Sequence, residues 1–216
     1  KYIKLVKEAC KKGLALDMDT YVSEGSYGAA LHAVGATVKA SEIGGFAICR
    51  PPGHHAHRDS SGGFCVFNSL AISVQKLVNE GKRVLIFDFD GHMGDGTEEI
   101  FYETDKVLYF SIHQYPAFPN KGYVDEVGKG KGRGFTINVA VPPGTGDDLF
   151  FEALNKYKFI FEKFDADIVA ISAGFDSYKE DLLLDLRLSI DAFYRVGKFV
   201  RENFSNYYAT LEGGYN

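Results

Sequence analysis

The sequence is poor in cysteine, in long apolar runs and in surplus positive charge. Its three cysteines, Cys10, Cys49 and Cys65, form no C-x-x-C pair, which argues against a disulfide framework and favours a reducing compartment. No apolar run reaches the roughly 18–20 residues that cross a bilayer. The first residues also lack the long apolar segment of a signal peptide. We therefore expect a cytoplasmic protein without a membrane partner.

The charge balance excludes a broad basic face. The 24 lysines and arginines are outnumbered by 29 aspartates and glutamates, which gives a formal net charge of −5. A protein that grips phosphate backbones needs the opposite balance. The short basic run at residues 129–133 is interpreted as a flexible, solvated turn, so no direct nucleic-acid partner is expected.

Aromatic residues are abundant, and 18 Phe with 13 Tyr exclude a disordered chain. At 216 residues, one domain is the default. We expect residues 1–216 to form a single domain. Because the sequence begins with Lys1 rather than Met, we expect that domain to be a piece of a longer one.

Short apolar runs alternate with helical patterns along the chain. The predicted strands are Gly45–Cys49, Val84–Phe87, Val107–Ile112, Phe135–Val141, Ile168–Ser172 and Tyr207–Leu211. The predicted helices are Ser23–Ala40, Asn68–Asn79, Asp147–Phe164 and Leu188–Phe204. This alternation predicts an α/β protein with a mostly parallel sheet.

Polar side chains follow most of the predicted strands, where parallel sheets place their ligands. After the strand at 84–87, Asp88, Asp90 and His92 are spaced by two, so they share one face of an extended backbone. Such a convergence favours a bound cation. Asp90 and His92 supply two ligands, and Asp176, after another strand, supplies a third. This donor set suits Zn²⁺ or Fe²⁺.

Two adjacent histidines, His54 and His55, follow the strand at 45–49 and a Pro-Pro-Gly turn. A carboxylate partner fixes a histidine tautomer and makes the ring more basic. Asp88 and Asp95 are available for that purpose. Two Asp–His pairs beside a metal would provide a general base and an electrostatic or acid partner. Tyr215, after two glycines, could donate to a developing oxyanion.

Four stretches together resemble one family: RPPGHHAHRDSSGGFCVFN, FDFDGHMGDGTEEIFYETDKVLYFSIHQ, SAGFD and EGGYN. In order and spacing they are similar to the zinc-dependent, histone deacetylase-like amidohydrolases of the arginase/deacetylase fold family, and more to the class II and polyamine branches than to class I. The resemblance implies a three-layer α-β-α fold. It also implies that this fold is incomplete at both ends, because the family's catalytic domains are usually considerably longer.

The resemblance also implies a role for each matching position. Asp90, His92 and Asp176 would hold the zinc. His54 and His55 would be the tandem catalytic histidines, oriented by Asp88 and Asp95 respectively, and Tyr215 would polarise the acetyl carbonyl. The remaining family positions fall on Gly63, Phe64 and Phe118 for the substrate tunnel, on Asp88, Asp90, His92, Ser111 and Ile112 for a potassium ion, and on Phe101, Thr104 and Val107 for a second potassium ion.

The expected reaction is hydrolysis of an acetyl amide to acetate and a free amine. The substrate would be acetyl-lysine, an acetylated polyamine or a related small acylated amine. Two departures from the family pattern, Met93 and His57, are interpreted as tuning rather than as ligands.

Two alternatives compete with this interpretation. The chain could be a catalytically inactive, metal-stabilised binding or scaffold domain of the same fold. It could also be a phosphatase of the haloacid dehalogenase type, since IFDFDG resembles that family's opening motif, with Asp88 as nucleophile and magnesium as the metal. However, His92 then stands where Thr or Val is usual, and the pair His54–His55 has no role.

Overall fold

The computed structural model describes all residues from Lys1 to Asn216. Six parallel strands form one sheet in the order β1-β6-β5-β2-β3-β4. The strands are β1 Phe46–Ala47, β2 Val84–Asp88, β3 Val107–Gln114, β4 Thr136–Val141, β5 Ile168–Ala173 and β6 Tyr207–Leu211. The helices are α1 Tyr2–Lys12, α2 Ser26–Ile43, α3 Ser69–Asn79, α4 Asp95–Phe101, α5 Asp147–Lys156, α6 Lys158–Phe164 and α7 Ile190–Asn203, with a short 3-10 turn at Gly130–Gly132.

The central strand β2 is buried at every position, as expected for a parallel strand covered on both faces. Leu85 and Phe87 point into a core built with α5, α6 and α7. Val84 and Ile86 point into a second core on the opposite face, built largely with α3 and the sheet-facing side of α2. The sheet therefore lies between two layers of helices, and this three-layer arrangement confirms the predicted α/β fold with a parallel sheet.

Several predicted boundaries differ from the observed ones. The single helix predicted over Asp147–Phe164 is two helices. They are separated at Tyr157, whose backbone dihedral angles, φ −101° and ψ −3°, differ from those of a regular α-helix. The predicted strand at Gly45–Cys49 shrinks to two residues, since it lies at the edge of the sheet and pairs only with β6. Asn68 precedes α3 and caps it by accepting a hydrogen bond from Ala71 N.

Strand register brings the carboxyl ends of β2, β3 and β5 to one edge of the sheet. Asp88, the last residue of β2, lies beside Ser111 on one side and Ser172 on the other. Loops that leave these strands therefore meet above Asp88. None of the helices combines the length and apolarity required to cross a membrane.

Candidate active site

Asp90, His92 and Asp176 converge at this edge, each buried, with one potential ligand atom apiece within 4.8 Å of the others. Nδ1 of His92 lies 2.6 Å from Oδ2 of Asp176 and 3.5 Å from Oδ1 of Asp90. The first two residues come from the loop after β2 and the third from the loop after β5. The structure thus brings together the three residues predicted as metal ligands.

Backbone N–H groups orient both carboxylates. Asp90 accepts from His92 N at 2.9 Å and from Gly213 N at 2.7 Å, and Asp176 accepts from Gly91 N at 2.7 Å. A Cβ at position 213 would lie 2.5 Å from Asp176 Oδ2 and 2.6 Å from Asp90 Oδ2. The glycine after β6 is therefore required for the backbone to approach this cluster.

Packing two acids and an imidazole together shifts all three pKa values. Burial, reinforced by the charge of Asp90, raises the pKa of Asp176 to about 7. Burial also opposes ionisation of Asp90, but the charges of His54 and His92 outweigh it and lower its pKa. For His92, burial is outweighed by the hydrogen bonds and charges of both carboxylates, which raise its pKa to about 9.

His54 lies against this cluster and is paired with Asp88. Its Nδ1–H donates to Asp88 Oδ2 at 3.2 Å, and its Nε2 faces Asp90 Oδ1 at 3.8 Å. The hydroxyl of Tyr109 donates weakly to the same Asp88 oxygen at 3.4 Å. Burial disfavours the imidazolium of His54, but the charges of Asp90 and Asp88 prevail and raise its pKa.

His55 forms the second pair, with Asp95 at the start of α4. Its Nδ1–H donates to Asp95 Oδ1 at 2.9 Å, which leaves Nε2 free. Burial, together with the charge of His54 beside it, lowers the pKa of His55 to about 4. The two imidazole centroids are 4.0 Å apart. The pKa values of these neighbouring rings are therefore shifted in opposite directions.

Sequence reasoning missed Glu212, the last residue before the Gly-Gly-Tyr segment. Its fully buried carboxylate accepts from the backbone N–H groups of Gly53 at 2.7 Å and His54 at 3.1 Å. Burial raises its pKa to about 7. The guanidinium of Arg50 donates to the carbonyls of Glu212 and Gly214. The only sequence signal for Glu212 as an acceptor for the histidine loop was its position directly after a predicted strand.

Of the predicted tunnel residues, Gly63 and Phe118 lie against His55, and Phe64 lies against Tyr215. Phe118 packs edge-on against His55 with centroids 5.0 Å apart, and Phe64 packs against Tyr215 at 5.8 Å. Burial and the charges of Asp90 and Asp176 raise the pKa of the Tyr215 phenol. Gly63 has φ +49°, and a Cβ there would strike His55 and come within 3.0 Å of Phe118. The three tunnel residues thus adjoin the candidate site.

The residues predicted to hold potassium fall into two places. Asp88, Ser111 and Ile112 are buried side by side on β2 and β3, next to the loop that carries Asp90 and His92. Phe101, Thr104 and Val107 instead lie on the turn between α4 and β3, at the amino end of that strand. The structure therefore separates the second set from the candidate metal cluster.

Comparison with known proteins gives consistent likenesses. The family model described as "Histone deacetylase domain" matches residues 1–216. A probable deacetylase of Archaeoglobus fulgidus is 37% identical, covering 100% of this chain and 64% of that protein. An acetylpolyamine amidohydrolase of Burkholderia pseudomallei is 38% identical, covering 85% and 55% respectively.

A solved structure shows the same likeness to histone deacetylases. The crystal structure of a histone deacetylase homologue from Aquifex aeolicus superposes with a TM-score of 0.91 at 34% identity, covering 98% of this chain and 62% of that one. The chain thus spans less than two thirds of the length of these relatives. The family match over the full chain, at such identities, shows that the protein belongs to the histone deacetylase domain family, whose relatives include proteins named as deacetylases and acetylpolyamine amidohydrolases.

Proposed function

We propose that the protein is a metal-dependent deacetylase that hydrolyses the acetyl amide of acetyl-lysine or a related acetylated amine to acetate and a free amine. One observation carries the proposal: two buried Asp–His pairs lie directly beside the cluster of Asp90, His92 and Asp176. A metal-activated hydrolysis needs both components in one place.

The cluster fits a divalent cation by its chemistry. Two buried carboxylates and an imidazole nitrogen within 4.8 Å of one another form a mixed oxygen and nitrogen donor set. Three protein ligands leave an open position, as in catalytic rather than structural zinc sites. The same donors suit Fe²⁺. The bound ion would act as a Lewis acid and lower the pKa of water at the open position.

The chain's own residues would move the protons. Asp88 and Asp95 hold Nδ1 of His54 and His55, which leaves Nε2 of His55 free and turns Nε2 of His54 toward Asp90. One histidine takes a proton from the attacking water as general base. His55 then gives a proton to the departing amine. The lowered pKa of His55 leaves that ring neutral and able to take the water proton that it later gives to the amine, whereas the raised pKa of His54 keeps the second ring charged.

Tyr215 would donate a hydrogen bond from its hydroxyl to the oxygen of the tetrahedral intermediate. Its raised pKa keeps the phenol protonated, as a donor must be. Phe64 packs against Tyr215 and Phe118 packs against His55. Aromatic walls suit the alkyl stem of an acetylated lysine or polyamine. The acetylpolyamine amidohydrolases among the relatives support this substrate class.

A monovalent cation is proposed as a structural companion. Asp88 ends β2 with Ser111 directly beside it on β3, and the carbonyls of Asp90, His92 and Ile112 complete the set that we assign to K⁺. A second K⁺ is assigned to the turn at Phe101, Thr104 and Val107. Oxygen donors of this kind suit hard cations.

The phosphatase alternative requires Asp88 as a free nucleophile. In the structure Asp88 is fully buried, and its two oxygens accept hydrogen bonds from His54 Nδ1 and Asp90 N. Its surroundings therefore favour the role of partner to His54. The remaining alternative is a scaffold domain that keeps the fold without turnover.

The decisive experiment measures acetate release from an acetyl-lysine peptide and from acetylated polyamines, with added zinc and with chelator. Release that the chelator abolishes and zinc restores is the expected result. The preferred substrate separates lysine from polyamine deacetylation. Protein that binds zinc tightly yet releases no acetate from any substrate would overturn the enzyme proposal in favour of the scaffold domain.

A further inference from the structure

A third histidine, His57, lies two residues beyond the tandem pair and contacts the same aspartate as His55. Its Nε2 lies 3.1 Å from Asp95 Oδ2, while His55 Nδ1 lies 2.9 Å from Asp95 Oδ1. Its other ring nitrogen, Nδ1, lies 2.7 Å from Glu99 Oε2. A continuous chain of hydrogen bonds therefore runs from His55 through Asp95 and His57 to Glu99.

Helix α4 sets the spacing of this chain. Asp95 and Glu99 are four residues apart and so share one helix face. The loop that carries His57 is pressed onto that face, because a Cβ at Gly96 would strike the backbone of Ala56. Arg58 then donates to Ile100 O at 2.7 Å. The His57 ring is thereby fixed between two acids one helical turn apart.

Both ring nitrogens of His57 face carboxylate oxygens at hydrogen-bond distance. A carboxylate only accepts when ionised, so both nitrogens must donate and the ring carries a positive charge. That charge offsets the repulsion between Asp95 and Glu99. Without the His57 imidazolium, the remaining side-chain partner of Asp95 Oδ2 would be Lys121, whose ammonium lies 3.5 Å away on a half-exposed side chain.

We infer that His57 is a positioning residue of the proposed reaction: its imidazolium bridges Asp95 and Glu99 and thereby fixes Asp95 as the acceptor for His55. The inference rests on the proposed function for its effect on turnover, but the bridge itself is a property of the fold. Glu99, with its side chain half exposed, connects the bridge to solvent.

The electrostatic surroundings agree with a charged ring. The hydrogen bond to Asp95 outweighs partial burial, and the charges of Asp95 and Glu99 add to it, so the pKa of His57 is raised above its ordinary value. Asp95 and Glu99 contact the ring, Lys121 contacts Asp95, and Lys1, Arg58 and Asp59 line the same cavity as His57. The charged bridge therefore persists to higher pH than an unperturbed imidazolium would, and it is lost as the pH rises through that raised pKa.

The test compares three variants, His57→Phe, His57→Gln and Glu99→Gln, with His32→Phe as a control at an exposed histidine on α2. We expect His57→Phe to lower kcat about tenfold, as loss of an outer hydrogen-bond partner does, with little change in KM. His57→Gln keeps one donor for Asp95 Oδ2 and should recover most of that kcat. The control should match the unmodified protein.

A second readout does not depend on turnover. Nuclear magnetic resonance of the histidine side chains should show the Nδ1–H of His55 protected from exchange in the unmodified protein and in His57→Gln, and exchanging rapidly in His57→Phe. Glu99→Gln should lower the pKa measured for His57, because one carboxylate partner is lost. This variant also serves if phenylalanine at position 57 disturbs folding.

Two outcomes would overturn the inference. One is an unchanged kcat in His57→Phe at every pH, while Asp95→Asn loses activity. The other is an unchanged His55 Nδ1–H signal in His57→Phe together with an unchanged His57 pKa in Glu99→Gln. If the unmodified protein releases no acetate, the proposed function fails, and the resonance data alone decide whether the bridge exists.

Discussion

Gly213 and Asp90, 123 positions apart in the chain, are joined by a hydrogen bond of 2.7 Å from the glycine N–H to Oδ2 of the aspartate. The glycine precedes Tyr215 by two residues. A candidate metal ligand is therefore oriented by the segment that carries the candidate oxyanion donor. We therefore expect a displacement of Asp90 or of the Gly213–Tyr215 segment to move the other.

Asp176→Asn should abolish tight metal binding. Replacing a carboxylate by an amide removes a charged ligand, and we expect zinc affinity to fall by more than about 100-fold, beyond the effect of losing an outer partner. Zinc content after dialysis measures this directly. Asp148→Asn, at an exposed position of α5, is the matched control and should keep its metal. Equal zinc content in both variants would contradict the assignment of Asp176.

Tyr215→Phe should reduce kcat while leaving zinc bound. The phenol is assigned to the transition-state oxygen only, so its removal should cost about 100-fold or more in kcat. Steady-state kinetics and zinc analysis on the same preparation separate the two effects. Tyr194→Phe removes a hydroxyl from an exposed tyrosine and should have no effect. Normal turnover in Tyr215→Phe would remove the residue from the mechanism.

Gly94→Ala should impair activity without changing any ionisable group. Its Cβ would strike Asp88 Oδ2 and lie 2.9 Å from His54 Nδ1, so the methyl group must separate that pair. Gly197→Ala is the control, because nothing lies within 4 Å of its Cβ in the middle of α7. We expect the control to gain about 0.5–1 kcal/mol in unfolding free energy from helix propensity. Kinetics and urea unfolding of both variants provide the comparison.

Glu98→Gln should change the pH dependence of stability. Burial raises the pKa of Glu98 to about 7, so the folded state binds its proton more tightly than the unfolded state. Stability from this group is present below about pH 4.5 and is lost as the pH rises to 7. The free energy of unfolding of the variant should therefore exceed that of the unmodified protein by about 3 kcal/mol above pH 7. Unfolding curves at several pH values test whether the difference disappears in acid.

The sequence was sufficient to predict the sheet and the elements of the site. Asp90, His92 and Asp176 each follow a short apolar run, and parallel strands bring such positions to one edge. That rule needs only local patterns, so it located the candidate ligands and the two histidines. The stretches that contain the tandem histidines and the two aspartates resemble the family closely, so the aspartate partner of each histidine could also be named.

Contacts between distant loops could not be predicted in the same way. Glu212 accepts from Gly53 N across 159 positions, and His57 reaches Glu99 across 42. Both depend on which strands are neighbours and on how far α4 approaches the histidine loop. Neither is encoded in a periodic pattern. Likewise, the break at Tyr157 leaves the apolar pattern of α5 and α6 unchanged.

The parallel sheet also makes the two ends of its strands unequal in their tolerance of inserted sequence. The candidate site residues taken from β2, β5 and β6 lie at or beyond the carboxyl ends of those strands, whereas the turns that precede β2 and β6 expose Lys82 and Ser205 to solvent. A peptide tag or fluorophore placed at either turn would sit on the side of the molecule facing away from the histidines. These two turns offer permissive positions for labelling.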